Sequence, residues 1–293
     1  MAAEPLAPHP GAAYEYWFFK LNAGPVALLV DWVIRRRERR AFVRVSSHAP
    51  GFRSVQFLDV KAADVLEAAS RLPAVTAGRV GDTTWALEAE VIDGWIAPDV
   101  FPARALQMAD VSLVSAPQVA FRGRVEVGDH QESPAGARGM IAHYWGRQLP
   151  TAWWWISAQP QDRPDFAVEA AVLRTALWGG PLHMRMAYLY CREGAARRLW
   201  TSPPHRSLVA GSAAAFEIKF AGLSGAPVRV RARGRDYADL GDGIVNTLVG
   251  DLEVWEGRRL WARADGCAAL ELRGSQGRDV DVGEDSLRPY HSA

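Results

Sequence analysis

Apolar residues recur at every second position through most of this chain. Val119, Phe121, Val125 and Val127 alternate with Arg122, Arg124 and Glu126, and Trp85, Leu87, Ala89 and Val91 alternate with Glu88 and Glu90. Phe216, Ile218 and Phe220 enclose Glu217 and Lys219; Val228 and Val230 alternate with Arg229, Arg231 and Arg233. A period of two sends successive side chains to opposite faces, so each run predicts an antiparallel strand with one buried face. Clusters of Gly, Pro, Asp and Asn separate the runs at short intervals, as in a β-sandwich or barrel. Only Ala62 to Leu72 departs from this, with Val65, Leu66, Ala69 and Leu72 on a helical stripe that Pro73 ends. The fold class is mostly β.

The polar, turn-rich stretch from Gly128 to Gly136 predicts a linker between an N-terminal domain, 1–130, and a C-terminal domain, 138–293. An internal echo supports two similar halves. Trp17-Phe18-Phe19-Lys20-Leu21 precedes Leu29-Val30-Asp31-Trp32-Val33-Ile34, and Trp154-Trp155-Ile156-Ser157-Ala158 precedes Ala167-Val168-Glu169-Ala170-Ala171-Val172. Each half then opens with an aromatic strand, a Pro-containing connection and an apolar strand carrying one carboxylate.

Composition narrows the function classes. A chain of 293 residues with net charge +1 presents no bias toward nucleic acid or an anionic membrane. The run from Arg35 to Arg40 reads as a solvated hairpin tip. Cys191 and Cys267 are too few for a disulfide framework and read as small core residues. The first residues lack the basic start and apolar run of a signal peptide, and the apolar stretch near Pro25 to Ile34 is too short to span a bilayer. The expectation is a cytoplasmic protein with reduced thiols and no integral membrane segment; the sequence leaves its oligomeric state open. There is no G-x-S-x-G elbow, P-loop, G-x-G-x-x-G turn or zinc-type histidine pair. An enzyme of this composition is expected to use no cofactor and no metal, leaving acid–base chemistry and the folding of a substrate inside a cavity.

Three consecutive tryptophans, Trp153, Trp154 and Trp155, follow His143-Tyr144-Trp145-Gly146 by a few residues. In a strand, Trp153 and Trp155 face one way and Trp154 the other. The segment from Met140 through Gly146, with Leu149-Pro150 and the three tryptophans, resembles the H-x-W-G … P … W-x-W pattern of the carotenoid 1,2-hydratase, AttH-like and tocopherol cyclase-like proteins. The opening Tyr14-Glu15-Tyr16-Trp17-Phe18-Phe19-Lys20-Leu21 is similar to the E-x-W-Y-F-K signature of tocopherol cyclases. Residues 248–254 and 268–272 are similar more loosely. The resemblance covers three short islands at the start, middle and end of the chain. It implies two lipocalin-like antiparallel β-barrel domains packed together, with an apolar pocket. It also implies a cofactor-independent cyclase, pericyclic (Diels–Alder-type) or acid-assisted, acting on a hydrophobic polyene, polyketide or terpenoid in natural-product biosynthesis. Hydration of an isoprenoid double bond and non-catalytic binding of a lipophilic ligand are the alternatives. Many relatives carry an acid immediately before the histidine; Ala142 stands there, which adds weight to chemistry that needs mainly shape.

Candidate residues follow from chemistry and alternation, each set against a structural reading. Histidine as a residue type can exchange protons near neutral pH, which makes His143 a candidate proton donor, or else it ties a strand to a carbonyl. Asp31 and Glu169 are carboxylates in apolar strands, suited to general acid work when desolvated, or else paired with arginine. Met184, Met186, Tyr188 and Tyr190 share one face, offering an adaptable lining and two hydroxyls. Trp153 and Trp155 would form an aromatic wall, with Trp17 and Phe19 as their counterparts in the first half and Trp145 nearby. Trp255 is a further candidate on a late strand. Core packing is the alternative for every one of these rings.

Overall fold

The computed structural model describes residues 5–97, 111–177, 180, 182–202, 207–212, 214–220 and 227–274. They divide into two compact units, one of residues 5–97 and 111–148, the other beginning at Leu149.

The first unit is a nine-stranded antiparallel sheet. Strands β1 (Tyr14–Ala23), β2 (Val26–Arg35), β3 (Arg40–Ala49) and β4 (Phe52–Asp59) form a meander. Gly24 has φ +58° in the first tight turn, a conformation that a side chain disfavours. Helix α1 (Ala62–Arg71) follows, its Asp64 carboxylate accepting the Lys61 amide at 3.0 Å. It buries Val65 and Ala69 in the core, as the stripe in the sequence requires. Then come β5 (Val75–Val80), β6 (Thr83–Val91), β7 (Val111–Val127), β8 (His130–Glu132) and β9 (Ala135–Gly146). The spatial order is β4-β3-β2-β1-β9-β7-β6-β5, so the first strand lies beside the last.

The second unit repeats this plan. β10 (Ala152–Ala158), β11 (Phe166–Ala176), β12 (His183–Glu193) and β13 (Ala196–Ser202) form its opening meander. β14 (Ser207–Gly211), β15 (Ala215–Phe220), β16 (Val228–Arg233), β17 (Ala238–Gly241), β18 (Ile244–Glu256) and β19 (Arg259–Arg273) complete it. The order is β13-β12-β11-β10-β19-β18-β16-β15-β14, again with the opening strand against the closing one. Each sheet curls around its own apolar core, and the chain has the expected pair of lipocalin-like β-barrel domains.

The linker expected at 128–136 is absent. That stretch forms β8 and the start of β9, and β9 hydrogen-bonds along β1 and β7 of the first sheet. His143, Tyr144 and Trp145 therefore belong to the first unit, and the division falls at Gln148/Leu149 rather than at 130–138. Turn-forming residues mark hairpins as readily as linkers, and local composition carries no information about which distant strand a segment pairs with. Among the described residues, no helix is long and apolar enough to cross a membrane.

Candidate functional site

The antiparallel register decides which side chains share a face. In the second unit, Trp155 stands opposite Ala171 and Ser157 opposite Glu169. Across the next ladder Glu169 faces Tyr190, Ala171 faces Tyr188, Leu173 faces Met186 and Thr175 faces Met184. One side of β10, β11 and β12 thus carries Trp153, Trp155 and Ser157, then Glu169, Ala171, Leu173 and Thr175, then Met184, Met186, Tyr188 and Tyr190. The other side, with Trp154, Ile156, Val168, Ala170, Val172 and Leu189, packs in the hydrophobic core. Seven candidates (Trp153, Trp155, Glu169, Met184, Met186, Tyr188 and Tyr190) lie on this single non-core face.

The chemistry on this face centres on Glu169, whose side chain has no solvent exposure. Its Oε1 accepts a hydrogen bond from the Tyr188 hydroxyl at 2.7 Å and a longer one, 3.5 Å, from the Trp155 indole N–H. Gln159 and Ser157, both fully buried, join through Gln159 Nε2 donating to Ser157 Oγ at 2.7 Å. The Trp153 indole donates to Glu271 at 3.0 Å, and the Arg273 guanidinium lies 5.2 Å from a Trp153 ring centroid. A carboxylate and a phenol therefore share a proton-holding hydrogen bond at one end of an aromatic and aliphatic strip.

The remaining candidates lie elsewhere. Trp17 and Phe19 point into the core of the first unit, where Phe19 packs against Trp32, Trp85 and Phe121 and Trp17 stacks on His143. They are not counterparts of Trp153 and Trp155. The echo itself keeps the faces, aligning Trp17 with core-facing Trp154 and Phe19 with core-facing Ile156. Matching them instead to Trp153 and Trp155 shifts the alignment by one residue, which exchanges inside for outside. Asp31 lies on the non-core face of the first sheet and pairs with Arg44 Nε at 2.7 Å. Burial pushes its carboxyl above the usual range, and the arginine only partly offsets this. Trp255 donates to Glu253 and lies under Arg229 and Arg231, within a ladder of alternating charges away from the Glu169 face.

His143 occupies the end of the first barrel. Its Nε2 is 3.1 Å from Glu15 Oε1, and its Nδ1 meets the Pro5 carbonyl at 3.2 Å. Arg36 donates to Glu15 Oε2 and the His9 amide to Glu15 Oε1, both at 2.6 Å. The His9 ring stacks on half-buried Trp145, with centroids 4.0 Å apart. Both imidazole nitrogens of His143 are thus committed to tying residues 5–13 across the barrel end. Burial alone would raise the Glu15 carboxyl, but hydrogen bonds from His143, Arg36 and the His9 amide together hold it below its usual value. Burial first, and then the neighbouring His143, lower the His9 imidazole. Glu15, Arg36 and His9 escaped the sequence reading, as did Ser157, Gln159 and Thr175. Ser157 and Thr175 share strand parity with Trp155 and Glu169, a signal that was present in the alternation, and Gln159 lies just past the end of β10. Among the described residues, no group of three or more His, Cys, Asp or Glu is placed to hold a metal ion.

No family profile and no curated protein sequence matches this chain. Solved structures do match in fold. An AttH-like protein from Nitrosomonas europaea aligns over 94% of this chain and 96% of its own, with a TM-score of 0.60 and 13% identity. Kievitone hydratase from Nectria haematococca aligns over 95% and 94%, with a TM-score of 0.63 and 11% identity. CghA bound to Sch210972 aligns over 91% and 89%, with a TM-score of 0.57 and 15% identity. The fold anticipated from the resemblance is the fold these proteins share.

Proposed function

We propose that this protein is a cofactor-independent cyclase whose substrate, a hydrophobic polyene, polyketide or terpenoid, lies on the Glu169 face of the second unit. The observation that carries this reading is the buried Tyr188–Glu169 hydrogen bond at 2.7 Å, at the end of a strip made by Trp153, Trp155, Leu173, Met184 and Met186. Apolar and aromatic surface holds a flexible chain in a reactive fold, so part of the entropic barrier is met by binding. The Tyr188–Glu169 pair then protonates one end of the chain, and the chain closes on the cation that forms. The same pair recovers a proton from the carbon next to the cation. Substrate and product are isomers, and nothing else enters the balance. Aromatic faces beside the strip stabilise the developing positive charge. The fold shared with CghA, which holds Sch210972, and with a hydratase supports an enzyme in this class.

Hydration of an isoprenoid double bond is the second reading. Buried Ser157 and Gln159, beside the carboxylate in register, supply polar groups that hold a water for attack on the same cation. Mass spectrometry after incubation with linear polyenes and isoprenoids separates the readings. A product of unchanged mass is cyclisation, and a gain of one water is hydration. Binding without conversion makes the protein a carrier and overturns both.

A further inference from the structure

Two buried hydroxyls on the Glu169 face have no hydrogen-bond partner: the Tyr190 hydroxyl and Thr175 Oγ1. Tyr190 is 3% exposed and Thr175 not at all. A buried hydroxyl without a partner forfeits its hydration and gains nothing in exchange, so such groups are rare in folded proteins. Here two stand on one face, at opposite ends of one strip. Tyr190 faces Glu169 across the ladder, and Thr175 faces Met184. Thr175 lies six positions beyond Glu169 on β11, a span of about 20 Å at the rise of a strand. The intervening rows are apolar or already satisfied. Ala171, Leu173 and Met186 carry no donors, the Tyr188 hydroxyl is bound to Glu169, and the Trp153 and Trp155 indoles donate to Glu271 and Glu169.

We infer that the substrate is a long unsaturated chain bearing an oxygen function, carbonyl or hydroxyl, near each end. One oxygen accepts from Tyr190 beside the Tyr188–Glu169 pair, and the other from Thr175. This rests on reading the Glu169 face as the substrate site and adds the substrate's chemical class. The consequence is registration. With both ends held, the strip fixes which carbon lies next to Tyr188 and therefore where the ring closes. A substrate lacking either oxygen leaves a buried hydroxyl unpaired in the complex, and a site built to bond an oxygen rejects such an analogue strongly.

The test uses long-chain α,ω-diols and primary alcohols of equal length, titrated against the full-length protein by tryptophan fluorescence. In the wild type the diol of matching length is expected to bind about tenfold more tightly than the mono-alcohol, the value of one additional hydrogen bond. In Tyr190→Phe or Thr175→Val that advantage disappears, while mono-alcohol affinity stays within about twofold because one end remains. The thermal midpoints of both variants equal or exceed that of the wild type, since each removes an unpartnered buried hydroxyl; the lost preference is then not unfolding. If mono-alcohols bind and diols bind no better, or if the preference survives both substitutions, the inference of a bifunctional substrate is wrong and the apolar site stands. If neither probe binds, the Glu169 face is not a ligand site and the cyclase reading falls with it.

Discussion

Glu15 Oε1 and His143 Nε2 lie 3.1 Å apart, with neither side chain exposed to solvent and the two residues 128 positions apart in sequence. The contact anchors residues 5–13 at the end of the first barrel, and its consequence is a stability that depends on acid. A carboxyl held below its ordinary value stabilises the fold above that value, near pH 4.3, and the contribution is lost as pH falls through the lower folded value. His9, lowered by burial, acts in the same direction, since its contribution is complete above about pH 6.5 and fades below that. Glu15→Gln is expected to cost about 2 kcal/mol at neutral pH and to flatten the acid limb of the stability curve, read by urea unfolding across pH. An unchanged acid limb would show that the cluster does not govern it.

The two carboxylates on the second strand of each unit are expected to behave differently. Glu169→Gln and Tyr188→Phe lower kcat by about 10²-fold or more, with a smaller change in KM, because they remove proton transfer rather than apolar contact. Asp31→Asn removes the carboxylate charge opposite Arg44 and costs about 3 kcal/mol of stability, with kcat per folded molecule preserved. Steady-state kinetics beside thermal melts checks both. A loss of turnover in Asp31→Asn alone would move the chemistry to the first unit.

Neighbouring positions on β10 give opposite phenotypes. Ile156→Ala opens a cavity in the second core and is expected to cost about 2–5 kcal/mol. Trp155→Phe, one position earlier and on the other face, retains most of the stability but weakens ligand binding. Equal effects on stability, with binding unchanged in both, would remove Trp155 from the substrate site.

Gly139 faces Leu21 across the β1–β9 ladder, where an added Cβ would collide with the Lys20 carbonyl. The obstacle is backbone, which cannot swing aside. Gly139→Ala is expected to cost about 3 kcal/mol or more and to lower the yield of folded protein, while Gly11→Ala, with open space around it and no left-handed backbone, meets no such wall. Normal yield and stability of Gly139→Ala would show that β1 and β9 can separate to admit it.

The legible part of the fold was its alternation. The period-two runs became strands, Ala62 to Arg71 became the helix, and Met184, Met186, Tyr188 and Tyr190 proved to share a face with Trp153, Trp155 and Glu169. Alternation tells which residues share a face but not whether that face looks inward. For this reason Trp17 and Phe19, read as counterparts of Trp153 and Trp155, proved to be core. Pairing between distant strands was equally hidden. Nothing near His143 in sequence announces Glu15, Arg36 or His9, and nothing in the turn-rich stretch before β9 reveals that this strand completes the first sheet.

That closing position of β9 governs when the first unit can form. β1 and β7 both wait for it, so a nascent chain that has emerged only as far as β7 presents two unpaired strand edges rather than one finished barrel. Such long-range closure makes for slow folding and a window of exposure to aggregation during synthesis. Supplied as a separate peptide, residues 135–146 would act as a missing stave, and their capture by a chain ending before them would mark the moment at which the barrel shuts.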